Sequence, residues 1–188
     1  PVGGEALAVV MSADESRVYV GAADKVVYVI DGGTGLPLGR YEGHAGAVGA
    51  LATHGTRVYA GDESSQIQAW DTATGKSVGT WSGHAGGVTA LVVSADGAKV
   101  YSGSRDKTVR AWDTATGKEV LTIVGATAEV LCLALTSDGK TLYAGARDGS
   151  VRALDTADGR TIATWTPKAK AVSGLALSST GRHELAIA

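Results

Sequence analysis

The sequence has no phenylalanine, one cysteine, one methionine and three prolines among its 188 residues. Each scarcity excludes something. A single thiol, Cys132, cannot form a disulfide within the chain, which fits a reducing compartment. Its setting, Val130-Leu-Cys-Leu-Ala-Leu135, is an apolar strand pattern that predicts a buried, inert side chain. No apolar run approaches the roughly 18 residues of a membrane-crossing helix, and no charged-then-apolar leader opens the chain, so membrane insertion is not expected. Charge is not concentrated either. The net charge is −2 with no basic stripe, so nucleic acid is not an expected partner. The first residue is Pro and not Met, which suggests a piece of a longer protein.

What is present is a repeat. The stretch from Trp81 to Asp113 is its best-formed copy: Trp81-Ser-Gly-His84, an apolar run from Gly87 to Ser94, a turn at Ala95-Asp-Gly97, Lys99-Val-Tyr-Ser-Gly-Ser-Arg-Asp106, then Lys107-Thr-Val-Arg-Ala-Trp-Asp113. Each run is short, β-branched or alternating, and bounded by Gly, Asp or Ser, as successive antiparallel strands are. The pairs Ile30-Asp31, Trp70-Asp71, Trp112-Asp113 and Leu154-Asp155 are spaced 40, 42 and 42 residues apart. Tyr19, Tyr59, Tyr101 and Tyr143 keep the same intervals, each followed two residues later by glycine, and so do Tyr41, Trp81, Ile123 and Trp165. Columns held in one register at a period near 40 define a repeat protein. The predicted strands of the first copy are Ala6 to Ser12, Arg17 to Ala23, Val26 to Asp31 and Leu36 to Tyr41.

Gly83-His84 at the front of a copy and Trp112-Asp113 at its back resemble the paired marks of a WD40 repeat, one blade of a β-propeller. The resemblance implies an all-β fold with blades over about 5–41, 46–81, 87–123 and 128–165 and a half-blade over 170–188, its first strand at Val172 to Leu177. A blade buries its faces only against neighbours. The first copy opens at an innermost strand and the fifth stops short of its outer pair. The expectation is therefore an open arc or fragment of a larger propeller, whose missing blades come from the same parent chain or from another chain.

His84, Ser102 and Asp106 have the residue types of a nucleophilic triad. The WD40 resemblance implies a structural network instead, in which His, Ser, Asp and Trp112 fasten the inter-blade loop to the third strand. Asp24 and Asp148 precede Ile30 and Leu154 by six residues, as Asp106 precedes Trp112, and a repeated position fits a scaffold better than a unique active site. The second copy keeps His44 and Trp70, with Ala60 and Ser64 in place of Ser102 and Asp106. The fourth keeps Asp148, with Ala126, Ala144 and Leu154 in the other places.

Other chemistry finds little support. Gly75-Lys76-Ser77 ends like a phosphate-binding loop, yet the required upstream glycine falls on Trp70. His44, His54, His84 and His183 are too scattered for a zinc site. The Ala-Trp-Asp-Thr-Ala-Thr-Gly segment at Ala69 to Gly75 is similar to quinoprotein propellers, which would imply an enzyme with a redox cofactor. In that pattern a Trp follows the Gly by about four residues, whereas Trp81 follows Gly75 by six.

The leading expectation is a non-catalytic scaffold without cofactor or metal, docking other proteins in a multi-subunit complex. The charged turns between second and third strands are the candidate docking residues: Asp62, Glu63, Arg105, Lys107 and Arg147. Heavy use of Ala and Gly without Phe suggests a GC-rich genome such as a green alga's, hence a cytoplasmic setting in a cytoskeletal or ciliary assembly.

Overall fold

A computed structural model describes residues 2–167 and 170–177, together with the backbone of Leu185–Ile187. Its regular structure consists of strands, and the all-β expectation holds. The chain divides into two compact units, Pro1–Leu91 and Val92–Ala188.

In the first unit, β1 (Ala6–Met11), β2 (Arg17–Ala22), β3 (Val27–Asp31) and β4 (Pro37–Tyr41) form one sheet in that order. A second sheet follows with β5 (Val48–His54), β6 (Arg57–Asp62), β7 (Gln66–Asp71) and β8 (Ser77–Ser82). The third sheet runs β9 (Val88–Val93), β10 (Lys99–Ser104), β11 (Val109–Asp113) and β12 (Glu119–Ile123), and the fourth β13 (Val130–Leu135), β14 (Thr141–Ala146), β15 (Val151–Asp155) and β16 (Thr161–Trp165). These are four-stranded antiparallel sheets with the strand order of propeller blades. The last pair is β17 (Leu175–Leu177) with β18 (Leu185–Ile187). β17 starts three residues later than the sequence pattern predicts, and Val172 gives its backbone N–H to the carbonyl of Ala146 at 3.0 Å. Residues 178–184 and Ala188 of the expected half-blade, His183 among them, lie outside the described residues.

The core lies between sheets. Tyr19, Val27, Val29 and Tyr41 of the first sheet pack with Val48, Val58, Ala60 and Trp70 of the second. Tyr101, Val109, Ala111 and Ile123 of the third pack likewise with Val130, Leu142, Ala144 and Leu154 of the fourth. One glycine column shows why the period is strict. A Cβ placed on Gly21, Gly61, Gly103 or Gly145 would lie 2.7, 2.4, 2.6 and 2.6 Å from a Cγ1 of Val48, Val88, Val130 and Val172 respectively. Each second strand must therefore lack a side chain where the next copy's first valine enters.

The turn after each third strand is set by its aspartate. Asp71 Oδ1 accepts from the Thr74 N–H and hydroxyl, each at 2.9 Å, and Gly75 closes the turn at φ 69°. Asp113 does the same with Thr116 at 2.8 and 2.7 Å, and Asp31 with Thr34 at 2.7 Å to both groups. These bonds stabilise the ionised carboxylates and hold all three below the ordinary aspartate range. Cys132 is buried, its thiol pushed up to about 11 by burial and its Sγ donating to the Val172 carbonyl at 3.3 Å. A thiol so placed is a poor nucleophile.

Candidate functional site

The second sheet carries the most enclosed polar contact. His44 stands in the loop between β4 and β5, and Asp62 ends β6. His44 Nδ1 meets Asp62 Oδ2 at 2.8 Å with both side chains wholly buried. Asp62 Oδ1 accepts from the backbone N–H of Ser64 at 2.9 Å and of Gln66 at 3.1 Å, so one carboxylate fixes both the incoming loop and the turn into β7. The imidazole lies against Trp70, ring centroids 5.3 Å apart. Burial drives the His44 pKa down, and Asp62 opposes this only in part. The ring is therefore neutral near pH 7, and its Nδ1–H donates to Asp62. That leaves Nε2 as an acceptor, buried and without a partner.

The third sheet explains the orphan nitrogen. There the Trp112 indole N–H donates to Ser102 Oγ at 2.8 Å, both residues buried. Ala60 occupies the position of Ser102, opposite Gln68 as Ser102 is opposite Arg110, and a methyl can neither receive the indole nor donate to His44.

Asp62 requires a correction. The sequence marks it as an exposed docking charge, but it is completely buried. In the third copy Ser104 lies three residues after Tyr101 and Asp106 five after it. In the second copy Asp62 holds the first position and Ser64 the second. Acid and hydroxyl have exchanged places, so Ser64 is no simple loss of the network's aspartate. The signal was the same pair of residue types in reverse order, in the one other copy with Gly-His.

Asp106 is half-buried and caps its own turn, accepting from Thr108 N–H at 2.9 Å and Thr108 Oγ1 at 2.6 Å, while its N–H donates to the buried Ser104 Oγ at 3.0 Å. Asp24 and Asp148, assigned by position to the same network, lie on the surface. Asp148 accepts from the Ser150 N–H at 3.0 Å and hydroxyl at 2.6 Å, and from the hydroxyl of Thr127 in the preceding loop. The hydroxyls of Ser150 and then Thr127 bring its pKa down to about 2. Ala126 stands where a histidine would, so no ring draws the acid inward. Asp24 accepts from Tyr28 Oη at 2.6 Å, and the same oxygen accepts from Gly3 N–H at 2.9 Å. In the second and fourth sheets an acid thus ties the incoming loop directly, by a different partner each time, and in the first Asp24 holds the tyrosine that does so.

The remaining candidates sit in turns. Glu63, Arg105, Lys107 and Arg147 are exposed. Arg147 Nε donates to Glu129 Oε2 at 2.7 Å, which partly neutralises it. Lys107 has φ 69°, matched by Lys25, Ser65 and Gly149 at the same turn position, so backbone shape constrains it before any partner does. Ser102 is fully enclosed and His84 is buried, so no substrate carbonyl reaches the hydroxyl of the apparent triad.

Sequence reading missed two grooves at equivalent positions. One, of about 360 Å³, is lined by Ser12, Asp14, Arg17 and Thr72; the other, of about 250 Å³, by Ser94, Asp96, Lys99 and Thr156. The lining groups already serve neighbours: the Arg17 guanidinium donates to the Thr72 carbonyl, and Asp14 accepts from Ser12 and Ser16 hydroxyls.

Comparison with known proteins agrees with this geometry. Residues 4–112 match the family model of the IP5P C-F beta-propeller, and residues 63–186 that of the outer membrane protein assembly factor BamB. The chain belongs to the β-propeller repeat proteins. Among solved structures it is similar to the computationally designed Ika8 protein, at 30% identity and a TM-score of 0.82 over 93% of this chain. It spans about half the length of that protein, 53%. No curated protein sequence matches it.

Proposed function

We propose that this propeller is of WD40 type and acts as a non-catalytic platform that docks other proteins within a multi-subunit assembly. The observation that carries the reading is the Trp112–Ser102 bond, which commits the serine of the apparent triad to the interior. The His44–Asp62 contact supports it, since there too the reactive residue types hold loops in place. The family matched by residues 63–186 is described as an assembly factor, a role of the same kind. Exposed turns at Glu63, Arg105 and Lys107 offer mixed charge on a rigid backbone, which suits orientation-specific docking more than raw affinity. A cytoplasmic, cytoskeletal or ciliary setting belongs to the same proposal and rests on composition.

Ser102→Ala tests it. The platform reading expects a lower melting temperature, by the equivalent of about 1–3 kcal/mol for a stranded indole N–H. An unchanged melting temperature with loss of a measurable hydrolytic activity contradicts it. A second reading, a quinone-dependent enzyme, draws on the similarity of residues 63–186 to a PQQ-type propeller family. A stoichiometric quinone in the purified protein, seen by absorbance and mass spectrometry, would establish that reading in place of the platform.

A further inference from the structure

The third and fourth sheets carry the same arginine in different company. On β11 Arg110 lies opposite Thr122 of β12, and on β15 Arg152 lies opposite Thr164 of β16. The first and second sheets have Tyr28 and Gln68 at that position. The irregularity that follows is the same in both arginine-bearing sheets, so Glu119 opposite Trp112 and Thr161 opposite Leu154 are equivalent. In the third sheet the Glu119 carboxylate is shared: Arg110 Nη1 donates to Oε2 and the Thr122 hydroxyl to Oε1. The fourth sheet repeats both donors and lacks the acid. Among the described residues no carboxylate pairs with Arg152, and its Nε is buried without a hydrogen-bond partner. A Cβ on Gly125 would lie 3.2 Å from Arg152 Nη1, so the guanidinium stands beside the loop that leaves β12. Thr161 and Thr164 are exposed and Arg152 is half-buried, which leaves the place open to solvent. Trp165, 46% exposed, pairs with Val151 and belongs to the other face of the sheet.

We infer that Arg152 and Thr164 form a docking point for a glutamate carboxylate of a partner polypeptide, seated as Glu119 is on Arg110 and Thr122. The third sheet sets the occupant, because there the same two residue types in the same register hold a glutamate. A guanidinium presents a planar fork of donors that matches the two oxygens of a carboxylate. Partial burial sharpens the demand, since donors withdrawn from water cost free energy until an acceptor reaches the group. Thr161 leaves room for that acceptor, being shorter than glutamate and uncharged. The inference rests on the platform reading and names what one of its faces takes. The two fail separately, because the platform reading is tested at Ser102 and this one at Arg152.

The probe is an acetylated, amidated hexaglutamate peptide, titrated into the full chain while the arginine Nε–H signals are followed by NMR. The Arg152 signal should shift saturably. Arg152→Gln, which installs the residue the second sheet already carries there, should weaken binding roughly tenfold. Thr161→Glu should fill the place from within the chain and abolish the peptide-induced shift of Arg152. Glu119→Thr should do the reverse, so that the Arg110 signal also responds to the peptide. An Arg152 signal that stays still up to the solubility limit of the peptide overturns the proposal. So does undiminished binding by Thr161→Glu, or a preference for free phosphoserine over the peptide, which would make the place a phosphate site instead.

Discussion

In the second blade the incoming loop is fastened by an enclosed contact, His44 to Asp62; in the fourth it is fastened at the surface, Thr127 to Asp148. Both join a loop residue to an acid at the end of the second strand or in the turn after it, and both acids also cap that turn. The difference is water. A carboxylate out of solvent must have its donors from protein, and Asp62 has three: the imidazole and two backbone amides. Asp148 has solvent as an alternative. The same topological task is therefore essential to stability in one blade and close to optional in the other.

The largest expected effect breaks the comparison at its buried side. Asp62→Ala strands the imidazole and two amides, and urea denaturation should show a loss of about 3–5 kcal/mol. Asp148→Ala, where water replaces the lost acceptor, should cost no more than about 1 kcal/mol. Equal losses would mean that burial does not distinguish the two ties. Gly61→Ala and Gly145→Ala come next. Both crowd the entering valine, so each should cost about 1–3 kcal/mol by overpacking, alike in the two blades. Gly39→Ala, with nothing within 4 Å of its Cβ, is the neutral control.

A gain is predicted for Ala60→Ser. The new hydroxyl would stand between the Trp70 indole and the unpartnered His44 Nε2, as Ser102 stands beside Trp112, and should add about 1 kcal/mol in the same denaturation assay. A loss would show that the second blade has closed over the space. The smallest effect is in pH. His44 has a folded pKa below its unfolded value of 6.5, so as pH falls through that value the unfolded chain takes up a proton that the folded chain refuses. Stability should decline from pH 7 towards the folded pKa and then level off. The lowered carboxylates act at lower pH, Asp14 and Asp148 having values of about 2. His44→Gln should flatten the melting-temperature profile between pH 7 and 5; an unchanged slope would assign it to other groups.

Strand order and the blade period were legible because period-two alternation and the Tyr-x-Gly column depend on contacts that every copy must make, such as the valine entering each glycine notch. Asp62 was not, since a charged residue in a Gly-Asp-Glu-Ser turn reads as solvated, and only burial against His44 reveals its part. Asp24 and Asp148 were assigned by register, which fixes position along the strand but says nothing about which neighbour supplies the donor. The exposure of Trp165 was equally hidden. Its column predicts a covered ring, and in the first two sheets Trp70 stacks on Tyr41 at 5.3 Å, but cover comes from the neighbouring sheet and not from the strand's own sequence.

The central claim is that the polar residues of these blades are coupled structural ties, and a double-mutant cycle at His44 and Asp62 tests it most directly. Unfolding free energies of wild type, His44→Ala, Asp62→Ala and the double variant give the coupling. The buried 2.8 Å contact predicts a coupling of about 1–3 kcal/mol, with the double variant far less damaged than the sum of the singles. Strict additivity, with the two losses summing within about 0.5 kcal/mol, would contradict it.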